Sequence, residues 1–365
     1  MTWLVTGGAG YIGSHVVRAF RQAGIEPVVI DDLSSGHAGF VPSDVAFVRG
    51  SILDTELIAR TLREHHCAGV VHVAGFKYAG VSVLRPLHTY EQNVAGTVSV
   101  LRAMQQAGVH YYVFSSSASV YGTPDVDLVT EDTPPHPESP YGETKLVGEW
   151  LNRDMKPVDP RWRGVNLRYF NVVGSGSPEL YDTSPHNLFP IVFDVLLSGD
   201  TPRINGDDYP TPDGTCVRDY VHVADLATSH VAAAQALMDG RPLLPAYNLG
   251  SGDGVSVRQI MDAVARVTGI PFTPTVGPRR PGDPARIVAN GDAAARDVDW
   301  RMRHSLDEMV ASAWQARLNH ENRPVDPAMT VDGEASDDSR PAVLDGEVGP
   351  ATSSGEKSAA EQRSS

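Results

Sequence analysis

An apolar run from Thr2 to Thr6 ends at Gly7-Gly8-Ala9-Gly10-Tyr11-Ile12-Gly13, after which a helical pattern continues to about Ala23. No other stretch restricts the fold as much. Strand, glycine turn and helix in direct succession open a βαβ unit whose turn lets the backbone approach a pyrophosphate. Gly7, Gly10 and Gly13 allow that approach, and the helix start supplies N–H donors and positive potential. Glycine turns without a ligand are common, so the match alone decides little. The next strand, residues 27–30, ends at Asp31-Asp32, where an acid can accept both ribose hydroxyls of an adenosine. Two carboxylates there repel a 2′-phosphate, which favours NAD over NADP.

The alternation continues with strands at 45–48, 69–73 and 111–114, separated by helices near 54–66 and within 88–107. Strands divided by helical stretches predict an α/β fold: a Rossmann-type doubly wound parallel sheet with ligands at the carboxyl ends of its strands. Ala74-Gly75 and Ser115-Ser116-Ser117 fall at such ends, and their small side chains leave room for a cofactor. Beyond the strand 165–169 the chain turns rich in Gly, Pro and Ser up to His186, which marks the start of a smaller, interleaved α/β substrate domain. The expected division is 1–170 for the dinucleotide domain, with segments near 217–250 returning to it, and 171–319 mainly for the substrate domain. Helices are expected at 188–197, 223–238 and 257–268 and a strand at 246–249. In the helix 257–268, Val257, Ile260, Met261, Val264 and Val267 form one apolar stripe, a core face.

Ser139-Pro140-Tyr141-Gly142-Glu143-Thr144-Lys145 reads as a helix start, Ser139 capping and Pro140 in the first turn. Tyr141 and Lys145 then stand one turn apart on one face, where an ammonium can favour the phenolate. A chain with twelve tyrosines and four lysines produces Tyr-x-x-x-Lys by chance roughly one time in eight. Lysine usage sharpens the reading. Twenty-six arginines against four lysines suggest that a lysine retained here supplies a compact ammonium that arginine cannot.

A formal charge of −15 argues against nucleic acid or an anionic membrane surface as partner. Cys67 and Cys216 are too few for a disulfide framework and lack zinc spacing, His65-His66-Cys67 reads as a plain helix end, and no metal site is expected. No apolar run reaches membrane-spanning length and no basic segment precedes the first strand, so a cytoplasmic protein is expected. The composition of residues 320–365, Ser, Asp, Glu, Gly, Ala and Pro, predicts a disordered acidic tail.

The segments VTGGAGYIGSH, FSSSASVYG, SPYGETK, LRYFN, DGTCVRDYVHV, YNLGSG and PRRPGD, in that order from Thr2 to about Trp314, resemble the extended short-chain dehydrogenase/reductases and, among them, nucleotide-sugar 4-epimerases. The resemblance implies Tyr141, Lys145 and Ser117 as catalytic residues. It implies NAD held by Gly7, Gly10, Tyr11, Ile12, Gly13, Asp31, Ser51, Ile52, Ala74, Gly75, Lys77, Asn93, Tyr141, Lys145 and Phe170. A UDP-sugar would be held by Ser117, Asn171, Asn187, Leu188, Arg218, Arg280, Asp283 and Ile287. The implied reaction inverts C4 of a UDP-hexose through a transient 4-keto sugar, with the Tyr141 phenol lowered toward neutrality by Lys145 and the nicotinamide cation. Ile287, of intermediate bulk, would border the sugar and disfavour N-acetylated substrates. A homodimer through the long helices containing Asn93 and Tyr141 is also implied. Two positions depart from the family pattern: Ser51 replaces an Asp that contacts adenine, and Asp32 stands where Asn is usual. Dehydratases and decarboxylases of the same fold place an acid shortly after the serine, whereas Ala118-Ser119-Val120 follow Ser117 here. A non-catalytic NAD-binding sensor is the rival from another class, and such proteins commonly lose the tyrosine and lysine.

Overall fold

In a computed structural model of the protein, which describes residues 1–280 and 283–321, seven strands form one parallel sheet. In chain order the elements begin β1 (Thr2–Thr6), α1 (Tyr11–Gln22), β2 (Glu26–Asp31), β3 (Ala46–Arg49), α2 (Thr55–Glu64) and β4 (Cys67–His72). They continue with α3 (Ala79–Leu84), α4 (Pro86–Tyr90), α5 (Gly96–Ala107), β5 (Tyr111–Ser117), α6 (Pro140–Val158), β6 (Arg163–Tyr169), β7 (Asn171–Val173), α7 (Leu188–Leu197) and β8 (Arg203–Asn205). Then come β9 (Val217–Arg218), β10 (Tyr220–His222), α8 (Val223–Met238), β11 (Ala246–Leu249), β12 (Val255–Ser256), α9 (Val257–Thr268), β13 (Thr275–Gly277), β14 (Arg286–Ile287), α10 (Asp292–Asp297) and α11 (Leu306–Glu321).

The sheet runs β3-β2-β1-β4-β5-β6-β11. Strand order reverses between β1 and β4, which opens a crevice at their carboxyl ends where ligands of such sheets bind. Side chains alternate across the strands. Trp3 and Val5 of β1 join a core with Val16, Val17 and Phe20 of α1 and Leu226 and Val231 of α8, while Leu4 faces Ile58 and Leu62 of α2 and Val100 and Met104 of α5. Each fully buried side chain of this size contributes about 1.5–3 kcal/mol. A third cluster, including Val173, Phe189, Phe193, Ile260, Met261, Val264 and Met309, lies among α7, α9 and α11.

The helix expected within 88–107 is in three pieces. A wide π-type turn, Glu91–Ala95, separates α4 from α5, and the first piece begins earlier, at Pro86. Such turns recur at functional sites because they re-aim a side chain, and Asn93 lies in this one. Helix α3 had no counterpart in the sequence reading, and α11 runs on through His320 and Glu321, the first residues assigned to the tail. The remainder of the expected tail lies outside the described residues.

Candidate active site

Ser139 accepts from the Gly142 N–H at 3.2 Å, Pro140 occupies the first turn, and the Tyr141 N–H donates to Ser82 Oγ at 3.1 Å. This cap fixes where α6 begins, and hence which side chains face β5. Tyr141, Lys145, Glu149 and Asn152 recur at helical spacing and all are buried. The Lys145 ammonium donates to the Ser115 carbonyl at 2.8 Å and stands 5.7 Å from the Tyr141 ring centroid and 5.1 Å from that of Phe114. The Ser117 side chain stands beside the Tyr141 hydroxyl, where it favours the phenolate. Ser117, at the end of β5, accepts from the Ser119 N–H at 3.2 Å and donates to Ser119 Oγ.

Burial pushes the Tyr141 phenol above its ordinary value, and the neighbouring Ser117 side chain only partly opposes this. Burial also pushes the Lys145 ammonium down to about 8. The sequence expectation assigns the lowering to Lys145 and the nicotinamide cation together, and these shifts are those of the cofactor-free protein. Desolvation dominates both groups, and a lowered phenol requires a further positive charge in the crevice.

Glu149 and Arg168, unnoticed in the sequence, form a buried two-pronged ion pair at 2.8 and 2.5 Å behind this constellation. Ser116 donates to the same carboxylate at 2.5 Å, and Arg168 reaches the Tyr121 hydroxyl at 2.8 Å. Polar residues at four-residue intervals beyond Lys145 were the available signal.

At the glycine turn, Gly7 has φ +71°, and a Cβ on it would come within 2.8 Å of the Ala74 backbone. A Cβ on Gly13 would lie 2.0 Å from the Gly7 carbonyl. No side chain caps α1 at Gly10, so the N–H groups of its first turn are left for a ligand. Asp31 accepts from the N–H groups of Ala9 and Leu33 at 3.0 and 2.8 Å, which anchors its carboxylate beside the turn; burial raises its pKa. Asp32 accepts from the N–H and hydroxyl of Ser34. These features fit a dinucleotide: a cradle closed to side chains, uncapped donors for a pyrophosphate, and an anchored acid for a ribose.

Other expected cofactor residues take mixed positions. The Tyr11 hydroxyl donates to the Gly174 carbonyl at 2.6 Å, so it is engaged with protein. Ser51 Oγ accepts from the Leu53 N–H at 3.2 Å, and Ile52 is buried against Gly96. Asn93 grips the Phe76 backbone, accepting from its N–H at 2.7 Å and donating to its carbonyl at 3.0 Å, and so fixes the loop Ala74-Gly75-Phe76-Lys77. Burial lowers the Lys77 ammonium, and the charges of Asp182 and Asp31 partly oppose this. Phe170 is buried with Tyr121, Leu146 and Ile287.

The expected substrate residues lie on β7, β9, β14 and α7 and the segments beside them. The Asn171 amide donates to the Asp219 carbonyl at 3.0 Å, and the Asn187 amide donates to Asp182 at 2.7 Å. Leu188 opens α7 and packs on the third hydrophobic cluster. Arg218 pairs with Asp283 at 3.4 Å and is in register with Ile287, while Arg280 lies 3.1 Å from the Asn205 amide in its accepting orientation. Sequence reasoning missed Asp219, whose buried carboxylate collects N–H groups from Ser251, Gly252 and Ala289 and so joins β10, β11 and β14.

The sheet order, the closed glycine cradle and the buried Tyr–Lys–Ser group define a dinucleotide-dependent enzyme of the Rossmann type. The sequence model of the NAD dependent epimerase/dehydratase family matches residues 3–250. The UDP-glucose 4-epimerase of Lactobacillus helveticus is 41% identical over 328 residues, 88% of this chain and 98% of its own. The UDP-glucose 4-epimerase structure from Stenotrophomonas maltophila, with bound NAD and formylated UDP-arabinopyranose, is 38% identical with a TM-score of 0.83, covering 88% of this chain and 99% of that one. The Bifidobacterium longum enzyme, in complex with NAD+ and UDP, is 36% identical with a TM-score of 0.81 over the same shares. The chain belongs to the NAD dependent epimerase/dehydratase family.

Proposed function

We propose that the protein is an isomerase that interconverts UDP-glucose and UDP-galactose at C4 with NAD as its cofactor. The observation that carries this reading is the buried grouping of Tyr141, Ser117 and Lys145, with the Lys145 ammonium 5.7 Å from the Tyr141 ring centroid, at the carboxyl end of β5 beside the glycine cradle. NAD, when bound, supplies a hydride acceptor that can return what it takes. The chain's own residues manage the proton and the substrate. Tyr141 removes the 4-hydroxyl proton, directly or through Ser117, as C4 becomes a carbonyl, and gives it back when C4 is reduced on its other face. Lys145 holds positive charge beside the phenol, and the charge of the bound nicotinamide fits the deficit that burial leaves at Tyr141. Atoms balance over the cycle, so substrate and product are isomers.

The sugar must turn over while the nucleotide stays fixed. Asn171, Asn187, Leu188, Arg218, Arg280 and Asp283 suit that clamp, since they lie on the short strands β7 and β9, on α7 and on the segments beside them. Ile287, buried against Phe170 and Leu146, supports a preference for sugars without an N-acetyl group. Equal catalytic efficiency on UDP-galactose and its N-acetyl analogue would remove that role. The division into a cofactor domain, 1–170 with segments near 217–250 returning to it, and a substrate domain, mainly 171–319, is supported by the separate hydrophobic cluster among α7, α9 and α11 and by β11 in the main sheet.

Leu84 and Leu87 are 73% and 85% exposed, and Trp150 of α6 is also exposed. Helices α3, α4 and α6 pack against one another, and apolar surface on them suits a second copy of the chain. Sedimentation at micromolar concentration should give twice the monomer mass. No helix of the described residues is long and apolar enough to cross a membrane. Two buried free cysteines suit a reducing cytoplasm.

The test is direct. Purified protein given UDP-galactose without added cofactor should form UDP-glucose, and denaturation should release NAD. NADP as the released nucleotide would contradict the role of Asp31, and no turnover with NAD present would sink the activity.

A further inference from the structure

A directed chain of hydrogen bonds runs through the core beneath the crevice. The Thr97 hydroxyl donates to the Asn93 carbonyl at 2.6 Å, so its oxygen is left to accept from His72 Nε2 at 3.2 Å. With its proton on Nε2, the ring offers Nδ1 as an acceptor, and the Thr6 hydroxyl donates to it at 2.7 Å. Thr6 Oγ in turn accepts from the Ala74 N–H at 3.3 Å. Beyond Asn93 the chain continues through its amide, which donates to Thr144 Oγ at 2.9 Å, and the Thr144 hydroxyl donates to the carbonyl of Tyr141 itself at 2.8 Å. Thr6, His72, Asn93, Thr97 and Thr144 are all buried. Burial, and then the charge of Lys145, push His72 down to about 3, so the imidazole stays neutral with one donor and one acceptor.

Three ends meet in this chain: Thr6, one residue before the glycine cradle; Phe76, gripped by Asn93 beside Lys77; and the backbone of Tyr141. We infer that His72 is a positioning residue for the epimerisation, holding Tyr141 and the Lys77 loop in register with the glycine cradle through Thr97 and Asn93. A core histidine with only a stabilising task needs no connection to the reacting group. This one is connected at both nitrogens, to Thr6 beside the glycine cradle and through Thr97 to the carbonyl of Asn93, the residue whose side chain holds Phe76 and Thr144. The inference rests on Tyr141 as the base. It predicts a loss in the chemical step, since displacements of an ångström can cost about a hundredfold in rate while binding contacts survive.

The experiment measures UDP-galactose turnover by the NAD-loaded protein in Thr97→Val, which keeps the shape and removes the hydroxyl, in Thr144→Val, in the pair combined, and in Thr97→Ser. Each Val variant should lose about tenfold or more in kcat, with KM within about twofold and NAD content unchanged. Because the links act as one unit, the double variant should be no worse than the weaker single variant within about twofold. Thr97→Ser should recover most of the rate. A parental kcat in Thr97→Val, or losses that multiply in the pair, would overturn the inference. Should Thr97→Val fail to fold, Thr6→Val, which removes the hydroxyl bonded to the other His72 nitrogen, decides by the same kcat and KM criterion. Tyr141→Phe separates the two levels: if it is inactive while the Val variants are normal, the relay falls and the base stands; if it retains a tenth of parental activity, both fall.

Discussion

Lys145 keeps an ammonium in the core with one carbonyl for company, and desolvation brings it down to about 8. The unfolded chain holds that proton up to about pH 10.4, so between about 8 and 10.4 unfolding takes up a proton and stability rises with pH. Below this window the cost is present in full, roughly 3 kcal/mol. Lys145→Met removes it. In cofactor-free protein the melting temperature of the parent relative to Lys145→Met should therefore climb by several degrees from pH 7.5 to 10, and a flat difference would mean that the ammonium is not desolvated. In turnover the same variant lacks the charge that favours the phenolate, so its residual activity should rise with pH well above neutral. Tyr141, Lys145 and the glycines were legible in the sequence because their spacing along a few residues already fixes their geometry. The raised phenol was not, because it depends on what covers Tyr141 from distant segments.

Helix α11 shows how an element's end is set by tertiary contacts. The His320 ring stacks on Tyr181 at 4.0 Å, and Glu321 pairs with Arg317, which also holds Asp194 at 2.9 Å. Composition places the boundary near Asn319, yet His320 is held by Tyr181 and Glu321 by Arg317, which is itself tied to Asp194 of α7. An aromatic pair is worth about 1 kcal/mol and an exposed ion pair less. A chain ending at Asn319 should consequently melt about 2 °C below one ending at Glu321, and equal melting temperatures would show these contacts to be idle. The relay through His72 was hidden for a related reason. It requires Thr6 and His72 side by side, a register between β1 and β4, and it requires the π-type turn that aims Asn93. Neither is written in local periodicity, whereas the strand and helix alternation that gives the sheet is.

Four histidines, His15, His72, His222 and His230, are buried, and desolvation lowers each one, to about 3 for His72 and about 4 for the others. Unfolding releases them to ordinary values near 6.5, so the unfolded chain binds more protons from about pH 6.5 down to 4, and stability falls as pH falls through that range. Asp31, Asp182 and Asp219, raised by burial, titrate in the opposite sense at the acid end. The histidines should dominate between pH 7 and 5, with a loss of several kcal/mol in urea unfolding; a loss below about 2 kcal/mol would contradict their burial as neutral rings.

Helix α1, which opens at the glycine cradle, also fastens residues 174–179, the stretch that follows β7. On one face of α1, Tyr11 holds the Gly174 carbonyl, His15 accepts from the Gly176 N–H at 2.9 Å, and Arg18 pairs with Glu179 at 3.0 Å. For anyone recombining such enzymes, the chain beyond β7 is thus not a cassette. Grafted onto another dinucleotide domain, it would arrive without its three anchors, so a working chimaera must carry Tyr11, His15 and Arg18 across with it, and the crossover point belongs before α1, not after β6.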